Sequence, residues 1–323
     1  MVVDRGGKRI VKATPSLFPY ANKAFDKMVV ESFRTIGKGS KKDFYDFMEQ
    51  GLERTAGLSW RDWIDKQSAR LEGSSDRAAT EQEIAGELHG LIKTIIPKFS
   101  LDRGFEFNYT VTKGERQCYL QSIIVGGLLQ RVGMNCGIAM VWKNDKGQTS
   151  NNGHAVPVLK LSNGRDVIVD CSDPQPFMQH QGLFVRVPGR KADGFVQPLY
   201  EGHLITGYHD MRTGQTLSPA DTETLGLRFI GSQFDYYRGE RSQGSLVLGP
   251  TTREGLKKSL SFLKRSVHRD PYNPLAQYVL ASTYWRLGDK AQGKKQFARA
   301  QDLYAHYGWV PPTAANMFKK AGL

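Results

Sequence analysis

Residues 117–134 read QCYLQSIIVGGLLQRVGM, and the expected fold depends on this stretch. A polar approach, KGERQ at 113–117, ends at a cysteine, after which apolar residues dominate as far as Gly133. Glycine is the residue that most often ends a helix. The pattern therefore predicts a helix from Cys118 to Val132, with the cysteine at its first position.

Three short apolar runs follow this helix and predict strands at 137–142, 154–161 and 166–171. The turn sequences NDKG at 144–147 and SNGR at 162–165 separate them, and Asn-Gly between apolar runs is a strong hairpin signal. The predicted fold class is α+β, with a helix packed on an antiparallel sheet. The pair Gly126-Gly127 predicts close packing of the helix on that sheet.

Cys118, His154 and Asp170 carry the chemistry that we expect. A cysteine nucleophile needs a lowered thiol pKa, a base within reach and a third group that orients the base. A helix N-terminus stabilises a thiolate, and its free amides can hold an oxyanion. The hairpin places His154 and Asp170 side by side, facing the helix start. We expect Cys136 and Cys171 to be small buried residues.

These elements together resemble the transglutaminase-like superfamily of cysteine-nucleophile enzymes, which have a papain-like fold. The resemblance rests on QCYL at 117–120, LLQRVGM at 128–134, GHAV at 153–156 and VIVDCSDP at 167–174, about 65 residues in mid-chain. It implies a catalytic triad of Cys118, His154 and Asp170, with Gln117 as an oxyanion-hole candidate. It also implies action on amide bonds of a protein or peptide through a thioester. We expect a hydrolase, peptidase or amidase; a protein-glutamine acyltransferase or deamidase is the alternative.

The chain departs from the family pattern at two positions. Val156 stands where an aromatic residue often follows the histidine, and Cys171 follows the aspartate where proline is usual. Asp173, which Pro174 follows, is therefore an alternative acid.

The regions that flank this core read as helical. We predict an arm and helical region at 1–98, the catalytic domain at 99–250 and a helical unit at 251–323. The first 20 residues read as a poorly ordered arm, and 21–71 as helices interrupted at 37–40. Thr80 and Glu83 form a capping-box pattern for a helix that ends at Ile96. Residues 105–109 read as a loop or a short strand.

Residues 251–323 resemble a tetratricopeptide repeat. Small, aromatic and glycine residues fall at the positions of that repeat, namely Ala281, Tyr284, Gly288, Phe297 and Ala300. Gly293 replaces the usual alanine, and Tyr236-Tyr237 reads as a relic of an earlier repeat. An ordinary helical hairpin is the alternative.

Charge and composition narrow the classes of partner. The chain has a net charge of +13, and residues 252–323 hold 13 Lys/Arg against 4 Asp/Glu. Such a unit fits an acidic protein or a nucleic acid, so a catalytically degenerate binding scaffold is the rival interpretation. We expect no cofactor and no metal, since metal-binding motifs are missing from the sequence. Without a signal peptide or an apolar span, we expect a cytoplasmic location.

Overall fold

The computed structural model describes residues 17–190 and 192–323, and in these ranges the fold is α+β, as predicted. The helices are α1 (Lys23–Ile36), α2 (Lys41–Ala56), α3 (Trp60–Glu72), α4 (Arg77–Ile95), α5 (Phe107–Lys113), α6 (Cys118–Val132), α7 (Leu227–Glu240), α8 (Arg253–Arg269), α9 (Pro274–Leu287), α10 (Lys290–Tyr307) and α11 (Pro312–Lys320). The strands are β1 (Lys98–Phe99), β2 (Glu115–Arg116), β3 (Cys136–Lys143), β4 (Thr149–Lys160), β5 (Asp166–Ile168), β6 (Gly182–Val187), β7 (Ala192–Glu201), β8 (Leu204–Asp210) and β9 (Thr216–Leu217).

Helix α6 is the centre of the molecule and has the predicted bounds. Its residues other than Arg131 are buried, because β3 and β4 pack on one side and α3 and α4 on another. A helix that is apolar all round is typical of such a buried position. Gly133 ends the helix in the left-handed conformation, at φ 99°.

Within the described residues, seven strands form one antiparallel sheet in the order β5-β4-β3-β6-β7-β8-β9, and β5 also pairs with β8. The predicted hairpins are present: β3 pairs with β4, and Lys160 lies opposite Asp166 across the second turn. Both faces of β3 are buried. Ile138 and Met140 face the helices, whereas Ala139 and Val141 belong to a second apolar cluster, as the two-residue strand period requires.

The predicted strand ends need correction near the candidate site. Strand β4 begins at Thr149, so His154 lies inside the strand, opposite Val141 of β3. Strand β5 ends at Ile168, and Asp170 lies two residues beyond it.

The predicted cap of α4 is wrong. The helix begins at Arg77, and the side chain of Asp76 accepts a hydrogen bond from the Ala79 N–H at 3.0 Å. An aspartate four residues earlier caps the helix as well as Thr80 would. Glu83 pairs instead with Arg70 at 3.1 Å.

The expectation for residues 105–109 is also wrong, because Phe107 starts α5. The alternation of apolar and polar residues suggested a loop or strand in which Glu106 is exposed. In the structure Glu106 is buried and accepts two hydrogen bonds from Arg238.

The predicted N-terminal arm ends earlier than residue 20, and residues 1–16 lie outside the described ranges. Phe18 is fully buried, and the Tyr20 N–H donates to the Gly127 carbonyl at 2.8 Å. A Cβ on Gly127 would lie 2.9 Å from the Phe25 ring. Gly127 therefore permits close packing against the N-terminal segment. A Cβ added to Gly126 would lie 3.3 Å from the Phe18 ring and 3.6 Å from Ile138 of the sheet.

The C-terminal helices form antiparallel pairs. Helix α7 packs on α8, and α9 on α10, with Ala281, Phe297 and Ala300 fully buried between elements. A Cβ added to Gly293 would lie 3.2 Å from the backbone nitrogen of Trp285, so the backbones of α9 and α10 approach closely at this point. The repeat assignment and the three-domain division stay predictions. Among the residues described, no helix has both the length and the apolar character that a bilayer crossing requires.

Candidate active site

Cys118 is held at the start of α6 against strand β4. The Ser122 hydroxyl, one turn further along the helix, donates to the Ala155 carbonyl at 2.9 Å. The Ala155 N–H in turn lies within hydrogen-bond reach of the Cys118 sulfur. The first hydrogen bond of the helix runs from the Gln121 N–H to the Gln117 carbonyl at 3.0 Å. The amides before Gln121 therefore point outward from the helix start, beside the thiol.

His154 lies between Cys118 and Asp170. Its Nε2 is 2.7 Å from Asp170 Oδ2, and its remaining ring nitrogen, Nδ1, is left for the hydrogen bond with the thiol. Cys118 is 7% exposed, whereas the His154 side chain is 27% exposed. Solvent therefore reaches the pair from the histidine side. The structure brings together the three residues that the sequence predicted.

Electrostatics in this cluster favour an ion pair. Burial raises the pKa of the Cys118 thiol, but the charge of His154 and its hydrogen bond lower that pKa more, so it ends below its ordinary value. Burial lowers the pKa of His154, yet the Cys118 charge and the Asp170 hydrogen bond raise it well above the ordinary value. A thiolate and an imidazolium are the forms that these shifts stabilise.

The Asp170 carboxylate is fixed at both oxygens. Oδ1 accepts the Ser172 N–H at 2.8 Å, and Oδ2 accepts hydrogen bonds from two histidines. Burial raises the pKa of Asp170, but the two histidines hold it far below the usual range.

Asp173, the alternative acid, has other contacts. Its carboxylate accepts the Gln175 N–H at 3.1 Å in a turn, and its carbonyl accepts from His89 and Lys93 of α4. These contacts attach the loop that carries Asp170 to α4.

His180 is a residue of the site that sequence reasoning missed. Its Nε2 lies 2.7 Å from Asp170 Oδ2, and its ring is 5.5 Å from the His154 ring, in a T-shaped arrangement. His154, Asp170 and His180 offer ligand atoms within 4.8 Å of one another, a donor set that could also hold a metal ion. The residues around His180 carry no local motif, so the sequence held no signal for it.

Helix α7 and its C-cap residue place two further residues near the thiol, Tyr237 and Arg241, which the sequence did not indicate either. Tyr237 and Arg241 both interact electrostatically with Cys118, and the Arg241 guanidinium lies 4.5 Å from the Tyr237 ring centroid. The Tyr237 hydroxyl interacts with the Gln233 side chain one turn earlier in α7.

Gln117, the oxyanion-hole candidate, is the N-cap residue of α6 and is 1% exposed. Its Oε1 has no hydrogen-bond partner in the described part of the chain. Gln117 directly precedes Cys118 in the chain, so the two residues are neighbours at the start of α6.

The other cysteines are buried free thiols, as expected. Burial raises the pKa of Cys136 to about 12 and raises that of Cys171 well above its ordinary value. Cys118 is thus the thiol whose surroundings favour the reactive form.

Two cavities open on the histidine side of the site. One, of about 340 Å³, is lined by both His154 and His180 and by polar residues of the β3–β4 turn. The other, of about 660 Å³, is lined by residues of 177–181 and of β7. Asp145 lines both cavities, so they adjoin.

Comparison with known proteins assigns this chain to no family. No protein-family model matches the chain, and no curated protein matches it. A crystal structure of menin that reveals the binding site for Mixed Lineage Leukemia (MLL) protein aligns over 91% of this chain and 73% of that chain, at 13% identity and a TM-score of 0.33. A TM-score this low supports no inference about the fold or the function of this chain.

Proposed function

We propose that the protein is a cysteine-dependent hydrolase, a peptidase or amidase with a transglutaminase-like core. The observation that carries this proposal is the chain of contacts from Cys118, at the start of a buried helix, through His154 to Asp170. A nucleophile, a base and a group that orients the base are the minimum that covalent amide cleavage needs.

In the proposed mechanism the Cys118 thiolate attacks the carbonyl carbon of an amide. The N–H groups at the start of α6, with Gln117 beside them, receive the oxyanion. His154 then gives its Nδ1 proton to the leaving amine, and a thioester forms on Cys118. His154 next takes a proton from water, which attacks the thioester and releases the acid. Asp170 keeps the imidazole in the required orientation throughout.

The adjoining cavities favour an extended substrate. Their volumes, about 340 Å³ and 660 Å³, are in the range that holds several side chains. Because they meet at Asp145 and His154 lines one of them, a peptide that passes through both would place a bond beside His154, the residue in contact with Cys118. A protein or peptide substrate is therefore part of the proposal. The cytoplasmic location expected from the sequence is a separate part of it.

An activated acyl ester tests the acyl-transfer step without knowledge of the natural substrate. We expect p-nitrophenyl acetate to place one acetyl group on Cys118, which peptide mass spectrometry would locate. Cys118→Ser and His154→Ala should lose this labelling, whereas Cys136→Ser should keep it. Acetyl that accumulates on lysines at random, with Cys118 unmodified, would contradict the proposal.

The fate of the thioester separates a hydrolase from an acyltransferase. We expect water to release acetate at a rate that added glycinamide does not change. Quantitative transfer of the acetyl group to glycinamide would instead favour the acyltransferase alternative, because an amine would then compete successfully with water.

A further inference from the structure

We propose that His180 is a positioning residue that holds the Asp170 carboxylate toward His154. This inference rests on the proposed function, since it assigns a role within the same site. It extends the group of interacting residues from three to four.

Both histidines meet one oxygen of Asp170. His154 Nε2 and His180 Nε2 each lie 2.7 Å from Oδ2. An ionised carboxylate only accepts hydrogen bonds, so both nitrogens must donate. His180 is therefore bound to Asp170 through its Nε2–H. The same arrangement leaves His154 Nδ1 as the atom that exchanges a proton with the thiol.

His180 is itself firmly held. Its side chain is 5% exposed, and the Tyr200 hydroxyl donates to its backbone carbonyl at 2.7 Å. Its Nδ1 is buried without a partner among the residues described. The ring is thus held through its Nε2–H, which donates to Asp170 Oδ2.

The remaining contacts of Asp170 explain why a second histidine matters. Ser172 fixes Oδ1, and His180 gives Oδ2 a second donor whose charge does not change when His154 loses its Nδ1 proton in the proposed mechanism. Several other charged and titratable groups surround this loop. His89 and Lys93 of α4 contact the Asp173 carbonyl, and His89 also interacts with the Asp170 backbone. Cys171, with Arg116 near it, follows Asp170 in the chain, and Cys118 lies beyond His154. Among the described residues, the two that donate to Asp170 Oδ2 are His154 and His180.

The test is the pH profile of Cys118 alkylation by iodoacetamide in the full chain, compared among His180→Ala, His180→Gln and the matched control His203→Ala. His203 is also hydrogen bonded, to Gln82 Oε1 at 2.7 Å, but has no contact with Asp170 among those described. We expect His180→Ala to slow alkylation at pH 6 about tenfold and to move the midpoint upward, as for loss of a hydrogen bond to a charge. His180→Gln, whose amide can donate from nearly the same place, should restore most of the rate, and His203→Ala should match the wild type.

Several results would overturn the proposal. An unchanged profile in a folded His180→Ala variant would make His180 a packing residue only. A lower midpoint in that variant would mean that His180 withdraws charge from Asp170. A metal ion that is stoichiometric in the purified wild type and lost in His180→Ala would make His180 a ligand. Slow alkylation of the wild type itself would instead refute the proposed function, so the two failures can be told apart.

Discussion

At the scale of single residues, Asp170 and Asp173 lie three positions apart and have separate tasks. Asp170 meets His154, whereas Asp173 closes a turn through the Gln175 N–H. The sequence favoured Asp170 because it ends the predicted apolar strand, but it left Asp173 open, since Asp-Pro is the more usual family pattern. Backbone turns decide which carboxylate points inward, and they depend on contacts with α4 that local sequence does not reveal.

Asp170→Asn tests this assignment, with Asp173→Asn as its matched control. The amide keeps the shape but removes the charge that raises the pKa of His154, so the thiolate–imidazolium pair weakens. We expect alkylation of Cys118 at pH 6 to fall at least about tenfold in Asp170→Asn, following the loss of a charge-assisted hydrogen bond. Asp173→Asn should react like the wild type. The reverse order of the two rates would make Asp173 the acid.

At the scale of elements, the position of α6 depends on small residues and on its neighbours. A Cβ on Gly127 would meet the Phe25 ring at 2.9 Å and the Phe18 carbonyl oxygen at 3.2 Å. Backbone and a buried ring cannot move aside easily. The sequence suggested close packing at this glycine but assigned it to the sheet, because contacts with Phe18 and Phe25, about 100 residues earlier, leave no local pattern.

We expect Gly127→Ala to destabilise the protein by about 1–3 kcal/mol through overpacking. Gly90→Ala is the matched control, because this α4 glycine is exposed and an added Cβ would meet nothing within 4 Å. Alanine at position 90 should raise the free energy of unfolding by about 0.5–1 kcal/mol, because alanine has a higher helix propensity than glycine. Urea unfolding curves of both variants measure the difference. Equal effects of the same sign would contradict the packing account.

A buried charge cluster joins α7 to the N-terminal half of the chain. Arg238 donates to Glu106 through Nε and Nη2, at 2.6 and 2.9 Å, and its Nη1 contacts Glu31 at 3.0 Å. All three side chains are at most about one-tenth exposed. Such a cluster fixes α7, and with it Tyr237, relative to Cys118.

Arg238→Ala leaves the buried Glu106 without the partner that donates to both of its oxygens, while Glu31 keeps its contact with Arg269. We expect a loss of about 3–5 kcal/mol in the free energy of unfolding, the usual result of breaking a buried ion pair. Arg61→Ala removes one member of an exposed pair, whose side chains are 90% and 73% exposed, and should change stability little. Thermal unfolding checks both, and a small effect at Arg238 would mean that the cluster is solvated.

At the scale of the whole molecule, one apolar cluster runs from Phe18 to Ala321 through all three predicted domains. Trp309, after α10, packs on Trp142 of β3 with ring centroids 4.4 Å apart. The basic C-terminal unit is also partly neutralised, because Arg265 and Arg269 pair with Asp235 of α7. The charge count from sequence therefore overstates the surface available to an acidic partner.

A shared core predicts shared unfolding. We expect a single cooperative unfolding transition for the chain. Trp309→Ala should lower the midpoint of that transition and reduce the free energy of unfolding by about 2–3 kcal/mol, less than for a fully buried tryptophan. Tyr272→Ala, at a side chain 54% exposed, serves as the control. Calorimetry with two resolved transitions, only one of them shifted by Trp309→Ala, would support independent domains instead.

The sequence predicted the elements whose signals are local. Helix α6, the β3–β4–β5 hairpins and the residues Cys118, His154 and Asp170 each follow from apolar runs, turn residues and chain order. Residues 174–250 gave no strand prediction and only the interpretation of Tyr236-Tyr237 as a repeat relic, although they contain β6 to β9 and α7. Strands β6 to β9 pair with their neighbours in the chain, whereas the β3–β6 and β5–β8 pairings join distant segments. Burial is nearly complete along β6 and irregular along β7 and β8, so no clear alternation identifies these strands. His180 comes just before β6, which pairs with β3, and Tyr237 packs its ring on Tyr119 of α6, so long-range contacts bring both residues to the site.

The reactivity of the three cysteines tests the central claim most directly. Native protein is treated with iodoacetamide across a range of pH, and mass spectrometry compares labelling of Cys118, Cys136 and Cys171. We expect fast labelling of Cys118 alone at pH 6, because His154 lowers the pKa of Cys118 while burial raises the pKa of the other two thiols. His154→Ala should remove that advantage. Labelling of Cys118 that rises only near the pKa of a free thiol, about 8.5, and is unchanged by His154→Ala would contradict the account.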